Sequence, residues 1–585
     1  MKLHALVYCP ALVFCRSVVL GALMVCLSFM KHASGAPGDF DPTFGLDGRV
    51  FTALPGWIDY RARTVKILDD GKLLVAGTCA NVETEQAQYG ACIVRYDAYG
   101  LVDATFGING QAFMPFNPIA RSVVLAVRPN GKVLVAAACY EVGYKTCVGQ
   151  FDANGTPDPL FGNAGVARFY VSDDYTPTHN SSLLVEAGGT LVVGGFCEIS
   201  GDLRWCLVRL NEDGSRGGAF TVVAFVRAYV SSTTDGETPS LLETPSGQII
   251  VASSCATATQ TRFCAVRYLQ DGRIDTGFGV NGLALVTTPF GRSSYAKSAV
   301  QQPNGGIVIA GLCSNDNGPE DSCVARFTPS GRVDAAFGVG GIQVVTTLPN
   351  GFDGFFGVTA LPSNEVLGAG YCYVDQQSSE TLGCVARFTA TGLLDVRFAV
   401  GGSASLRLFL NGSAGPMAVT SDPSGRVIIA SECHTFQEWT DKYFCLARLK
   451  GGPYLASACT LNADANNTIA ASSDVMLVTR YLLGFRGDAL TVGAIGAGST
   501  KTAGEIATYL DSLKNDPLKK LDLDGDGESL AMTDGLLMLR AMLGLSGDAL
   551  TTGAIGKPSA AYPTLRSAQQ ILQWIETTHG VACLP

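Results

Sequence analysis

Between residues 38 and 452 the chain alternates short apolar runs with tight polar turns, and this alternation itself repeats. One unit reads as the alternating segment RTVKIL (63–68), the turn DDGK, the apolar run KLLVAGTC (72–79), a variable stretch, CIVRY (92–96), a second turn ending at Gly100, and DATFG (103–107) before another short apolar segment. Val, Ile and Leu at every second position between Gly, Asn, Asp and Pro turns predict antiparallel hairpins, four strands to a unit. The first turn carries Gly71, Gly131, Gly189, Gly247, Gly305 and Gly425 in six units and Asn364 in the seventh. Asn tolerates positive φ next best after Gly, so a left-handed residue is expected there. Phe-Gly recurs at 44–45, 106–107, 161–162, 278–279 and 337–338, predicting a Phe plug between neighbouring units and a bend at the Gly. Seven four-stranded units predict an all-β seven-bladed β-propeller, which hides most sheet edges. A parallel β-helix would use shorter repeats, and an open stack would need unlike end units. After Gly452 the apolar spacing becomes helical, which sets off a small α-helical domain at 453–585.

The cysteines keep the same beat. Seven pairs, Cys79/Cys92, Cys139/Cys147, Cys197/Cys206, Cys255/Cys264, Cys313/Cys323, Cys372/Cys384 and Cys433/Cys445, occupy one place in successive units. They predict one disulfide per blade, joining adjacent strands of a hairpin at a directly facing position. Metal binding is disfavoured, because the spacings are too long for CxxC chelation and no His recurs with them. Cys459 and Cys583 are the cysteines left after the N-terminal segment and are expected to clasp the helical domain. A disulfide framework implies an oxidising compartment. Arg16, the apolar run 18–29 and Ala33-Ser34-Gly35 predict a cleaved signal peptide over 1–35, hence secretion to the periplasm or beyond. No later stretch is apolar enough to span a membrane, and a monomer is expected. The net charge of -10 becomes about -13 without residues 1–35, which disfavours nucleic acid as a partner.

Arg stands three residues after the second Cys in six units (Arg95, Arg209, Arg267, Arg326, Arg387, Arg448), with Gln150 in the seventh. Pairing with the Asp of D-x-x-F-G, such as Asp103 or Asp334, is the expected role, ahead of a guanidinium ring facing a channel. The motifs G-[KQR]-[LVI]-[LVI], C-x-[VA]-R-[YF] and D-x-x-F-G resemble those of the delta-60 repeat proteins, secreted bacterial proteins whose repeats are thought to build propellers. That resemblance carries no activity with it.

In the helical domain two copies lie 60 residues apart, at 461–496 and 521–556. Asp522, Asp524, Asp526, Glu528 and Asp534 occupy positions 1, 3, 5, 7 and 13 of the second, around Gly527; Asn462, Asp464, Asn466, Thr468 and Asp474 occupy them in the first. Hard oxygen donors at alternate positions around a tight turn suit Ca²⁺, so two calcium sites are expected, the more acidic second one tighter. The competing reading makes Asp474 and Asp534 simple helix caps. The loops and the helix DGLLMLRAMLG resemble dockerin repeats, which implies a protein-docking module. The 60-residue separation is wider than usual for that family, and further helices are expected near 504–514 and 565–577.

Catalytic residues are not assigned. His179, His434 and His579 are the histidines beyond the signal segment; none lies in a nucleophile or metal-ligand motif, and no P-loop or dinucleotide fingerprint occurs. The favoured function is a secreted calcium-binding scaffold whose loops between paired cysteines recognise an extracellular protein or glycan. Trp205, Trp439, Tyr140, Tyr144, Tyr373 and Tyr443 are its candidate recognition residues, with packing over the disulfides as the competing role. The alternatives are a polysaccharide lyase, glycosidase or sugar-binding subunit and, third, a structural cell-surface protein.

Overall fold

The computed structural model describes residues 37–54, 57, 59–81, 88–116, 123–140, 144–170, 181–199, 202–227, 239–286, 293–314, 320–348, 351–373, 381–399, 401–409, 412–422, 425–435, 442–451, 459–466, 469–579 and 583. Two compact units appear, Pro37–Gly452 and Pro453–Pro585, the N-terminal segment aside.

In the first unit twenty-eight strands, β1 to β28 in chain order, form seven four-stranded antiparallel sheets among the described residues. This is the expected seven-bladed propeller. Blade 1 is β2 (Asp59–Ile67), β3 (Leu73–Asn81), β4 (Gln88–Tyr96) and β5 (Gln111–Pro115), running from the central channel outwards. Blades 2 to 6 repeat it. Blade 7 is composite: β26 (Gly412–Ser421), β27 (Val427–Thr435) and β28 (Lys442–Leu449) take as their outer strand β1 (Arg49–Thr52), with Phe51 facing Cys445. The first strand among the described residues therefore closes the ring.

The turn residues are left-handed as the pattern requires, with φ of 80° at Gly71 and 65° at Asn364. The Phe plugs are wholly buried, and each seats on a turn glycine of the following blade. A side chain at Gly155 would strike the Phe106 ring, and one at Gly392 the Phe337 ring. Beside each plug the main chain of one blade bonds the next, as in Gly107 N–H to Asn154 O at 2.6 Å. The last such bonds complete the circle, Ala399 donating to Pro37 and Gly45 to Tyr99.

The recurrent arginines are part of the same joint. Arg95, Arg267, Arg326, Arg387 and Arg448 each direct Nε to the Asp of a D-x-x-F motif at 2.7–2.9 Å. Nη1 reaches a carbonyl of the next blade (Ala153, Pro329, Ala390, Gly451 and Ala98 for the five in chain order). The guanidinium carbon lies 4.6–4.9 Å from the centre of the Phe plug. Asp pairing, not a channel ring, is their role. Arg209 bonds Glu186 instead. At Gln150 the cation is supplied from the turn after the blade's inner strand: Arg128 donates to Gln150 Oε1 at 2.6 Å and reaches Gly189 and Glu212 carbonyls of the next blade. Lys132 takes the place opposite Asp158 at 2.7 Å.

Six blade disulfides are present among the described residues, Cys79–Cys92, Cys139–Cys147, Cys255–Cys264, Cys313–Cys323, Cys372–Cys384 and Cys433–Cys445, with Cα atoms 5.8–6.0 Å apart. The expected seventh bond, Cys197–Cys206, is not among these six. Cys206 is fully buried on β12 (Asp202–Leu210) and disulfide-bonded, but the side chain of Cys197, its expected partner, lies outside the described residues. The expected register needs correction. The cysteines are not directly opposed: Cys79 faces Gly90 and Cys92 faces Gly77. In blade 3 Cys206 faces Gly195, and Cys197 faces Arg204. Every blade shows the same two-residue offset. Strand twist brings this diagonal pair within bonding reach.

The helical unit contains α1 (Met476–Leu482), α2 (Asp488–Thr491), α3 (Ala503–Lys514), α4 (Leu536–Met542), α5 (Gly547–Thr551) and α6 (Ala568–His579). Their apolar faces share one core that includes Leu477, Leu510, Leu537 and Ile571. The expected extra helices are α3 and α6. Cys459 and Cys583 are bonded, with Cα atoms 5.0 Å apart, joining the two ends of this unit.

Candidate functional site

Each acid loop of the helical unit leads into a π-helical turn, Ala471–Val475 or Ala531–Gly535, which continues directly as α1 or α4. A π turn accommodates one residue more than an α turn, which accounts for a closing acid at position 13. Asp534 is fully buried and accepts from Leu523 N–H at 2.6 Å and Leu530 N–H at 2.8 Å. Asp474 does the same with Ala463 and Ala470, at 2.8 and 3.0 Å. The N-cap positions belong to Ala470 and Leu530, which supply no side-chain cap, so neither Asp is the simple cap of the competing reading.

In the second loop Asp522, Asp524 and Asp534 are buried, with one carboxylate oxygen from each within 4.8 Å of the others. Asp526 accepts from Glu528 N–H at 2.8 Å, while the Glu528 side chain is exposed. Burial pushes the Asp534 carboxyl up to about 7, and it raises Asp524 and Asp474 as well. Arg566 stands near this group but gives Nη1 to the carbonyls of Asp522 and Leu523 and stacks on Trp574, 3.9 Å from its ring centre. Three converging buried carboxylates form the donor set a hard divalent cation requires, and burying such charge without one is costly. In the first loop Asn462, Asp464, Asn466 and Asp474 are all buried, with Asn466 Nδ2 3.2 Å from Asp464 Oδ2. Thr468 lies outside the described residues.

Sequence reasoning missed a second layer. In both copies the segment GAIG returns to the loop, and its last glycine donates to the position-3 acid: Gly496 to Asp464 at 2.6 Å and Gly556 to Asp524 at 2.7 Å. The helix arginines hold this return in place, Arg480 on the carbonyls of Leu490 and Val492, Arg540 on those of Leu550 and Thr552. The signal was legible as the segment GDALT-x-GAIG shared by both copies.

The candidate recognition residues separate. Trp205 is 1 % exposed and packs in the core between two blades, so packing is its role and it is no exposed recognition residue. Tyr373 is half-buried beside Phe352 and Tyr371, and Tyr443 beside Phe409. Trp439 and the side chains of Tyr140 and Tyr144 lie outside the described residues, as does His179. His434 is half-buried on β27.

A family model described as "Domain of unknown function (DUF5122) beta-propeller" matches residues 68–106, 189–216, 244–278 and 302–337. The matched stretches fall in blades 1, 3, 4 and 5, and the repeat is that of a propeller family. No curated protein matches the chain in sequence. Similar solved structures include the polysaccharide lyase Uly1, at 10 % identity and a TM-score of 0.39 over 71 % of this chain and 97 % of that one. A polysaccharide lyase titled PL25-Ulvanlyase aligns at 10 % identity and a TM-score of 0.38, over 69 % and 96 %. The α-L-arabinanase of Penicillium chrysogenum aligns at 10 % identity and 0.33, over 72 % and 99 %.

Proposed function

We propose that this protein is a secreted binding scaffold in which a disulfide-pinned propeller presents recognition loops and a helical, dockerin-like module binds Ca²⁺ and docks a partner. The observation that carries the reading is the convergence of Asp522, Asp524 and Asp534 on one buried point in a loop repeated 60 residues earlier. Asp522, Asp524, Asp526 and Asp534 would hold the ion in the second site, with Glu528 offering its carbonyl. Asn462, Asp464, Asn466, Thr468 and Asp474 would hold it in the first. Bound Ca²⁺ would neutralise the carboxylates and fix the approach of α1 and α4. Main-chain donors at Gly496 and Gly556 orient the position-3 acids in either case. Phe485 and Leu545, at equivalent places after the two helices, both leave apolar side chains in solvent, which suits a docking role. Calorimetric titration of the chelator-treated full chain tests the proposal. Two unequal calcium sites are expected, the tighter one weakened by Asp524→Asn; absence of calcium uptake would remove it.

A further inference from the structure

The inner strands of four consecutive blades share an irregularity. In β2, β18 (Ser294–Gln301), β22 (Asp353–Ala360) and β26 the register with the next strand slips by one residue, between Ala62/Thr64, Ala296/Ser298, Phe355/Gly357 and Pro416/Ala418. The residues passed over are Arg63, Lys297, Phe356 and Met417, each eight positions before its left-handed turn. All four line the central cavity, a space of about 440 Å³. Bulges re-aim side chains and gather beside functional sites. Here they set an arc of cation, aromatic ring, thioether and cation on one side of the channel, at the end away from the turns.

The channel wall is basic in an acidic protein. Its charged lining residues are Arg63, Lys66 and Lys297, and no acid lines it among the described residues. Lys66 comes from a level where Leu242, Val300, Thr359 and Thr420 also line the channel, and its side chain is exposed there. Acids stand behind the wall: Glu432 lies 3.5 Å from Arg63 and 3.6 Å from Arg61, and Glu320 faces Lys297. Counting Arg61 behind the wall with Arg63, Lys66 and Lys297 on it, four cations against Glu432 and Glu320 leave the channel positive. Phe356 is held as a platform, stacked on Tyr371 at 4.3 Å and 23°, with the Lys297 ammonium 5.4 Å from its centre.

We propose that this arc binds an acidic saccharide, a uronate-bearing ring stacked on Phe356 with its carboxylate taken by the channel lysines. A flat apolar face beside fixed cations matches a sugar ring that carries an anion, and the cavity has the size of a small-molecule site. The inference shares with the scaffold reading only the premise that the propeller binds a ligand; calcium uptake by the helical domain is independent of it.

Calorimetry of the full oxidised chain with trigalacturonate, and with maltotriose as the neutral control, tests the assignment. Trigalacturonate is expected to bind at least tenfold tighter than maltotriose, and more weakly as NaCl is raised. Lys66→Met, Lys297→Gln and Phe356→Ala should each weaken it at least tenfold. Lys66→Met replaces an exposed side chain by an unbranched one of similar length, so an unchanged melting midpoint is expected and guards against misfolding. Equal affinity for the two sugars, indifference to Lys66→Met and Lys297→Gln together, or binding of benzoate without trigalacturonate would each overturn the proposal.

Discussion

The inter-blade joint contains a natural swap that can be transplanted. Blade 2 places Arg128 on the inner turn and Gln150 on the third strand; blade 5 places Gln302 and Arg326 at the same two positions, reversed. Gln302 Nε2 bonds the Asn364 carbonyl of the next blade, the counterpart of the Arg128 bond to Gly189. Arg326→Gln would leave Asp334 without its 2.8 Å partner and the Ala390 carbonyl without its donor. Removing one member of a buried pair costs about 3–5 kcal/mol. The Asp334 side chain is 23 % exposed, so the lower end, about 3 kcal/mol, applies. In a ring of roughly 400 residues that shifts the melting midpoint down by about 3–4 °C. Gln302→Arg/Arg326→Gln should recover part of the loss, because Asp334 still lacks the lysine that Lys132 provides for Asp158. Adding Gly306→Lys should recover most of it: a side chain there is crowded by Gln302 and Arg326, which are replaced, and by Asn304, whose counterpart Asn130 already accommodates Lys132. Calorimetric melting of the four proteins is the assay. A single variant that melts within 1 °C of the parent, or a triple variant no better than the single, would refute the reasoning.

Deleting residues 37–52 removes β1 and exposes the β28 edge, so the truncated chain should aggregate or lose cooperative melting; size-exclusion chromatography and calorimetry check this. Gly556→Ala would drive a methyl group into the Asp526 carboxylate, and should weaken the second calcium site at least tenfold while sparing the first, as read by calcium titration. His579 is buried, with Nε2 2.9 Å from the Lys520 carbonyl and Nδ1 2.7 Å from the Thr460 hydroxyl, and burial lowers its pKa to about 4. Its folded pKa lies below the unfolded value, so its contribution is complete above about pH 6.5 and falls away towards pH 4, by about 3 kcal/mol in all. At saturating calcium, acid should therefore destabilise the parent more steeply than His579→Gln; equal slopes in the melting midpoint against pH would contradict this.

Much of the propeller was legible because its signals are local and repeated. Asn364 among six glycines marked a left-handed turn, and Arg three residues after Cys beside D-x-x-F-G marked an ion pair. The features missed depend on partners that the period does not register. Spacing cannot tell a directly opposed Cys79–Cys92 from a diagonal one, because twist decides which pair comes within reach. The one-residue slip at Lys297 breaks period-two counting inside a single strand, so it leaves no trace in the alternation. Gln150 stood as the exception to the arginine pattern because its replacement, Arg128, stands 22 residues earlier in the turn after the inner strand. In the helical domain the acids announced themselves, whereas Gly496 and Gly556 act through main-chain N–H groups, which every residue but proline carries.

The composite seventh blade also bears on the order in which the molecule can be assembled. The six blade disulfides described above span 8 to 13 residues, so each such hairpin can be fixed as soon as it has been made. β1 precedes the other described strands of the propeller, yet its partner β28 comes last in it. The entropic cost of so distant a closure grows only logarithmically with the length between them, so waiting adds little to it. A chain that stops short in any blade keeps its first strand unpaired, however well its finished hairpins are oxidised. Completeness of the whole ring is thus registered at one strand, and an interrupted product carries an open edge by which it can be recognised.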